Sequence, residues 1–236
     1  MSVFRFKQFA VDQAGCAMKI NTDGVLLGAM VHAGAPMRIL DIGTGTGVIA
    51  LMLAQRFPLA TIDAIEIDEV AAGAARGNFE NSPFAERISS YAVALGDFEP
   101  EGPYDLMVSN PPYFLHSLTN SDTRRRIARH TDMSFFVQLL ERSRRWLSPA
   151  GSLQLVLPVT LASLVGWKAV DEHGMFIQRE ATIRSFPSHP PIRRVLAVGR
   201  KPGEGVNEVN DFSIYERSGI YSPAYRKLLK DFFLAF

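Results

Sequence analysis

The chain has 236 residues, 47% of them hydrophobic, with 25 Lys and Arg against 24 Asp and Glu. That length suits one α/β domain with a sizeable core, and a formal charge of +1 supplies no global attraction to nucleic acid, so any such partner must meet a local patch. A single cysteine, Cys16, excludes an intramolecular disulfide and a cysteine-ligated zinc site, and with no membrane-length apolar run and no signal-peptide core the chain reads as soluble and cytoplasmic.

At the start, Phe4-Arg5-Phe6-Lys7-Gln8-Phe9 alternates and reads as a short hairpin or edge strand. Thr22 or Asp23 then suits a helix N-cap, for a helix running to about His32. Met37-Arg38-Ile39-Leu40 reads as a strand, Asp41-Ile42-Gly43-Thr44-Gly45-Thr46-Gly47 as a turn, and Val48 to Phe57 as an apolar helix. Strand, glycine turn, helix is the shape of a nucleotide-type site. It is not a dinucleotide fingerprint, since Val48 stands where a third glycine is wanted, and no Gly-Lys-Ser/Thr makes it a P-loop. Asp41 at the strand end would repel a pyrophosphate and suits a ligand carrying an ammonium group. The glycines let the backbone pass close to a compact ligand.

One βα unit later, Thr61-Ile62-Asp63-Ala64-Ile65-Glu66-Ile67-Asp68 is a second strand ending in acids. Glu66 has the spacing at which a carboxylate accepts both ribose hydroxyls. Its other reading is a charge at the start of the next helix, a role Asp68 and Glu69 fit better. A third strand, Ile88 to Val93, leads to Asp97, suited to accept from an adenine amino group, and Phe98, suited to stack on the ring. Tyr104 to Val108 is a buried strand, and Ser109-Asn110-Pro111-Pro112-Tyr113 follows it. Two prolines stop the ladder and stiffen a loop at the carboxyl edge of the sheet, where open α/β sheets bind ligands. Asn110 offers an amide oxygen, Pro111 a free carbonyl, and Tyr113 a flat face. Two acceptors converging on a planar NH2 would draw its lone pair out of conjugation and make it nucleophilic without a strong base. Read alone, the same residues are equally a turn that ends a strand.

Asp41-x-Gly43-x-Gly45-x-Gly47, Glu66, Asp97 and Asn110-Pro111-Pro112-Tyr113, in that order, resemble the class I S-adenosylmethionine-dependent methyltransferases. The Asn-Pro-Pro-Tyr form is similar to enzymes that methylate the exocyclic N6 of adenine or the side-chain amide of glutamine. The resemblance implies a Rossmann-like α/β fold, a doubly wound seven-stranded sheet with one antiparallel edge strand. It implies S-adenosylmethionine as cofactor, bound by Asp41, Gly43, Gly45, Gly47, Glu66, Ile67, Asp97, Phe98 and Asn110. Phe6-Lys7-Gln8-Phe9 and Met18-Lys19-Ile20-Asn21-Thr22-Asp23 further resemble bacterial enzymes that methylate N6 of adenine 37 in tRNA(Val). In those relatives this segment covers the cofactor beside the glycine turn, which would put Thr22 and Asp23 near its methionyl end.

Residues 114–132 read as a polar loop, with Arg124, Arg125, Arg126, Arg129 and His130 where a large anionic substrate would enter. Arginine runs are ordinarily a solvated face; beside a base-reading loop they read as RNA contacts, and the Arg-x-x-Ala-Arg-His pattern also resembles the tRNA enzymes. Met133 to Leu147 is an amphipathic helix, Ser152 to Leu157 a strand, and Thr160 to His173 a helix. Phe176 to Arg184 and Arg193 to Arg200 are two strands with no helix between them, hence antiparallel. The tail from Pro202 starts polar and flexible and ends in a helix capped by Ser222, with Pro223 in its first turn and Tyr225, Leu228, Leu229, Phe232, Phe233 and Phe236 inward.

The expected organisation is one domain over 1–236: a cofactor-covering segment at 1–37, a catalytic core at 38–200, and a tail at 201–236. The expected reaction is direct methyl transfer to N6 of an adenine in tRNA, with no metal. Asn110 and Pro111 would accept from the amino group, Tyr113 would stack on the base, and Pro112 and the arginines would touch the substrate. The anticodon region of tRNA is the expected partner, with no membrane and no obligate protein partner. Rival readings are N5 methylation of a protein glutamine, N6-adenine methylation of rRNA or DNA, and a cofactor-binding RNA chaperone without turnover.

Overall fold

The computed structural model describes residues 2–16, 18–112, 122–203 and 210–236, and their side chains except those of 122–132 and 210. The chain opens with a hairpin of β1 (Val3–Arg5) and β2 (Ala10–Asp12), then α1 (Thr22–Met30). Alternation follows: β3 (Arg38–Ile42), α2 (Val48–Arg56), β4 (Thr61–Glu66), α3 (Glu69–Glu80), β5 (Ile88–Ala92) and β6 (Tyr104–Ser109). Then come α4 (Asp122–Trp146), β7 (Leu147–Pro158), α5 (Val159–Asp171), β8 (Phe176–Arg184), β9 (Pro191–Gly199) and β10 (Asn210–Ser213). The hairpin of β11 (Tyr215–Arg217) and β12 (Ile220–Tyr221) and the short α6 (Pro223–Leu229) close it.

The strands are short apolar runs because the sheet is covered on both faces. Along β3, Ile39 joins one hydrophobic cluster and Leu40 the other. In β6, Leu106 and Val108 face α1 and α2, while Met107 faces the layer of Leu139, Leu140 and Val165 from α4 and α5. Burial of each such side chain stabilises the fold by about 1.5–3 kcal/mol.

The doubly wound α/β architecture is as expected, with two differences of detail. The main sheet has eight strands, in the order β10-β8-β9-β7-β6-β3-β4-β5, because Asn210–Ser213 of the expected flexible tail pairs parallel with β8. The antiparallel strand is β9, and it lies inside the sheet between β7 and β8, not at an edge. The tight connection across residues 185–190 makes β9 antiparallel to β8, and β9 then inserts beside β7.

Two local expectations are also corrected. The N-cap of α1 is Asn21, whose side chain accepts from the Gly24 amide at 2.9 Å, and not Thr22 or Asp23. The polar stretch expected as a loop to residue 132 is helical from Asp122, since Arg and Ala are strong helix formers and Asp suits a helix start. The C-terminal helix starts as expected, with Ser222 capping the Tyr225 amide at 3.0 Å and Tyr225 and Leu229 buried, but it ends at Leu229. Phe232, Phe233 and Phe236 follow it outside the helix, Phe232 buried and the other two half-buried against the same core.

Candidate active site

The order β6-β3-β4 places the ends of three parallel strands side by side. Ile42 pairs with Ile65 on one side and with Ser109 on the other. The chain leaves β3 toward β4 and later returns to β6 on its far side, so a crevice opens between β3 and β6 at their carboxyl ends. The Ser109 hydroxyl donates to the Ile42 carbonyl at 2.8 Å and locks the two strand ends together. The glycine turn and Asn110 are therefore neighbours by topology.

All three turn glycines have left-handed φ: 69° at Gly43, 57° at Gly45 and 84° at Gly47. They serve different purposes. A Cβ at Gly43 or Gly45 would meet open space, so these two leave bare backbone toward the crevice. A Cβ at Gly47 would lie 2.4 Å from the Phe79 ring, so this glycine lets α2 and α3 approach. The Gly43 and Thr44 amides donate to the Ile65 carbonyl, and Glu66 accepts from the Gly45 amide at 2.9 Å and from the Asp68 amide at 3.0 Å. Glu66 thus reaches the turn, and each of its oxygens keeps a second lone pair.

Asp41 is fully buried behind the turn. One oxygen accepts from the Thr44 hydroxyl at 2.6 Å and the Ala50 amide at 3.2 Å; the other has no partner among the described residues. Burial raises its pKa to about 7, Glu66 adds to the rise, and the two hydrogen bonds oppose it. A carboxylate in that state gains from a nearby cation.

The opposite wall comes from Met18, Lys19, Ile20, Asn21 and Gly24, which share one cavity with Gly43, Thr44, Gly45 and Asn110. The segment expected to cover the cofactor does lie over the glycine turn. The polar side chains of this segment that face it are Lys19 and Asn21, whereas Thr22 lines a separate groove with Phe4, Tyr221 and Phe236, and Asp23 pairs with Arg193 at 2.8 Å. Sequence reasoning passed over Asn21; the available signal was an Asn three residues before Gly24, the spacing of an N-cap. Asn78 was passed over too: buried, it bonds the Asp12 backbone and the Thr46 carbonyl, tying the N-terminal hairpin to the turn.

Asn110 is half-buried after β6, Pro111 is buried and Pro112 exposed. Asn110 Nδ2 donates to Asn21 Oδ1 at 3.4 Å. Ile67 is 73% exposed, an apolar surface beside Glu66, and Asp97 is exposed. Phe98 departs from the expected stacking role: it is buried, edge-on to Trp146 at 5.9 Å and tilted against Tyr91, and belongs to the core under α4. Tyr113 lies outside the described residues, as do the side chains of Arg124, Arg125, Arg126, Arg129 and His130. No cluster of metal-ligating side chains occurs among the described residues.

A larger hollow of about 770 Å³, lined by His32, Asp105, Gln154 and Lys201, sits at the opposite end of the strands. Two of its polar groups are already engaged: Gln154 bonds both backbone groups of His32, and Asp105 accepts from Met37, Arg38 and Ser148. Arg179 and Lys201 also line it, but it lies away from the carboxyl ends of the strands, where open α/β sheets bind their ligands.

Comparison with known proteins bears on the same region. A family model described as methyltransferase small domain matches residues 16–164. The chain is similar over its full length to proteins named tRNA1(Val) (adenine(37)-N6)-methyltransferase. It is 49% identical to that of Pedobacter heparinus, covering 100% of this chain and 99% of the relative, and 44% identical to that of Parabacteroides distasonis, covering 98% and 97%. Among solved structures, a predicted O-methyltransferase from Agrobacterium tumefaciens superposes with a TM-score of 0.68 at 18% identity, over 89% of this chain and 96% of that one. A methyltransferase from Pyrococcus furiosus gives 0.57 at 21%, over 81% and 91%. These two likenesses concern the fold.

Proposed function

We infer the reaction of this chain from its kinship: it belongs to the methyltransferase small-domain family and, within it, to the tRNA1(Val) (adenine(37)-N6)-methyltransferases. It is an S-adenosylmethionine-dependent enzyme that methylates N6 of an adenine in tRNA. We assign the target to adenine 37 of tRNA(Val), in the anticodon region, from the names of the relatives. The observation that carries the reading in the structure is the shared cavity of Asn110, Gly43 and Gly45.

The residues fit the cofactor. Bare backbone at Gly43 and Gly45 can lie against it, Asp41 has an unpartnered oxygen suited to its ammonium, and Glu66 has lone pairs left for its ribose. Ile67 offers an apolar surface and Asp97 an acceptor for its adenine end, and Lys19 brings a cation to the same cavity. Met18–Asn21 lie close on the turn, with a hollow of about 30 Å³ between them. When bound, S-adenosylmethionine supplies a methyl group on a sulfonium, an electrophile the protein need not build.

The protein's share of the reaction is orientation. Asn110 Oδ1 and the Pro111 carbonyl accept from the two N6 protons, holding the amino nitrogen so that its lone pair points at the methyl group. With the cofactor bound, the nitrogen held by Asn110 and Pro111 would take its methyl group, the thioether would be the leaving group, and the extra N6 proton would pass to solvent. Tyr113 stacks on an adenine swung out of its neighbours' stack, which positions the ring. Most of the acceleration comes from alignment and electrostatic fit.

The test is methyl transfer from labelled S-adenosylmethionine to unmodified tRNA(Val), with the product mapped by nucleoside analysis. N6-methyladenosine at position 37 is expected. Label at another position corrects the site, and label in protein glutamine but not in tRNA overturns the reading.

A further inference from the structure

An amide side chain has an acceptor on one side and two donors on the other. If Asn110 works as an acceptor, something must decide which side it presents. The backbone of Asn110 is fixed, held between Ser109, bonded to Ile42, and the ring of Pro111. The rotation of the amide remains to be set.

Asn21 supplies the choice. It is the N-cap of α1, in extended conformation with φ −127° and ψ 164°, and its oxygen accepts from the Gly24 amide at 2.9 Å. A backbone N–H can only donate, so the atom facing Gly24 is Oδ1. That same oxygen faces Asn110 at 3.4 Å. Two oxygens would repel there, so Asn110 must turn its NH2 to Asn21. Its own oxygen then points away, and it accepts from no group among the described residues.

We propose that Asn21 is a positioning residue for methyl transfer: by capping α1 it fixes the rotation of the Asn110 amide, so that Oδ1 of Asn110 is presented to the acceptor amino group. The inference rests on the N-methylation reading, in which Asn110 accepts from the substrate. It couples the start of α1 to the loop after β6, two elements 89 residues apart in the chain.

Two substitutions separate this role from simple capping. Glycine is tolerated at an N-cap, so Asn21→Gly keeps α1 but removes the acceptor. Asn21→Asp keeps both the cap and the acceptor. With S-adenosylmethionine and unmodified tRNA(Val), Asn21→Gly should lower kcat roughly ten- to a hundredfold through misalignment, while Asn21→Asp stays within about threefold of wild type. Added to Asn110→Ala, Asn21→Gly should cost nothing further, because the residue it positions is gone. A second readout needs no turnover: the side-chain NH2 pair of Asn110 in 15N-labelled protein, assigned by its disappearance in Asn110→Ala. It should move toward a free amide in Asn21→Gly and stay bonded in Asn21→Asp.

A wild-type kcat for Asn21→Gly, an equal loss on the Asn110→Ala background, or an unmoved amide pair overturns the inference. If the wild-type enzyme labels no tRNA, the substrate reading fails, and the amide resonances alone then decide the role of Asn21.

Discussion

Asp41 holds its proton in the folded protein up to about pH 7, whereas the unfolded chain releases it near the ordinary carboxylate value of about 3.9. Between those values the folded state binds the extra proton, so stability falls as pH rises through the window, and the full cost, roughly 4 kcal/mol at most, stands above it. Asn at this position keeps an acceptor for Thr44 and Ala50 and carries no charge. Thermal melts should therefore show Asp41→Asn with a higher Tm than wild type at about pH 8 and no such advantage at about pH 4. A cofactor ammonium reverses the preference by favouring the ionised form. Wild-type affinity for S-adenosylmethionine should then rise between about pH 5.5 and 7, and the substitution should weaken binding and flatten that rise. Calorimetric titration reads both effects; a pH-independent affinity in wild type would remove Asp41 from the cofactor site. Asn110 makes the opposite kind of contribution. Asn110→Ala should reduce kcat about 10²- to 10³-fold and leave cofactor affinity within about twofold, because the oxygen acts on the acceptor base. Equal losses in both would mean that Asn110 holds the cofactor instead.

The turn between β3 and α2 shows how one glycine-rich motif divides its work between elements. Gly47 starts α2 in left-handed conformation with the Phe79 ring of α3 against it. Gly47→Ala incurs both backbone strain and overpacking, together about 2–4 kcal/mol, and should lower the urea midpoint. Gly45→Ala meets no neighbour, so its stability loss should be only about 1–2 kcal/mol, from the left-handed backbone. Its larger effect should be on cofactor affinity. If both variants lose stability equally, the division of roles is wrong. The spacing of the glycines was legible in the sequence, and so was the strand–turn–helix frame, because apolar runs covered on two faces announce parallel strands. What each glycine faces was not legible, since Phe79 lies 32 residues away. The same limit hid Asn21 and Asn78, whose importance lies in partners distant along the chain. It also misassigned Phe98, an aromatic after a Gly-Asp that could serve a ligand or the core; Trp146 and Tyr91 decide for the core. β10 escaped notice because a four-residue strand at a sheet edge takes its order from β8 and not from its own pattern.

At the scale of the whole molecule the charges nearly cancel, +1 over 236 residues, so the protein has no general field with which to gather RNA. Several arginines are already committed to structure. Arg87 donates to the carbonyls of Ala54, Phe57 and Ala60 at the end of α2, Arg56 to those of Gly28 and Val31 after α1, and Arg142 pairs with Glu99. Attraction to a polyanion must come from a local excess, and the start of α4 holds the densest one in the sequence: Arg124, Arg125, Arg126, Arg129 and His130. In chain order this stretch follows Asn110-Pro111-Pro112, so it is tied to the active-site loop. If these residues meet the phosphates around the target, tRNA affinity should fall with salt, and removing each phosphate-binding cation should reduce the slope of log K against log salt by about 0.7. Replacing the four arginines by Gln should raise KM for tRNA, lower that slope by up to about 3, and leave cofactor affinity unchanged. Filter binding over a salt series measures the slope directly. An unchanged slope would make the run an ordinary solvated helix face, and the search for the RNA path would move to the other rim of the crevice, where Lys19 stands apart from the ion pair that holds Asp23 and Arg193.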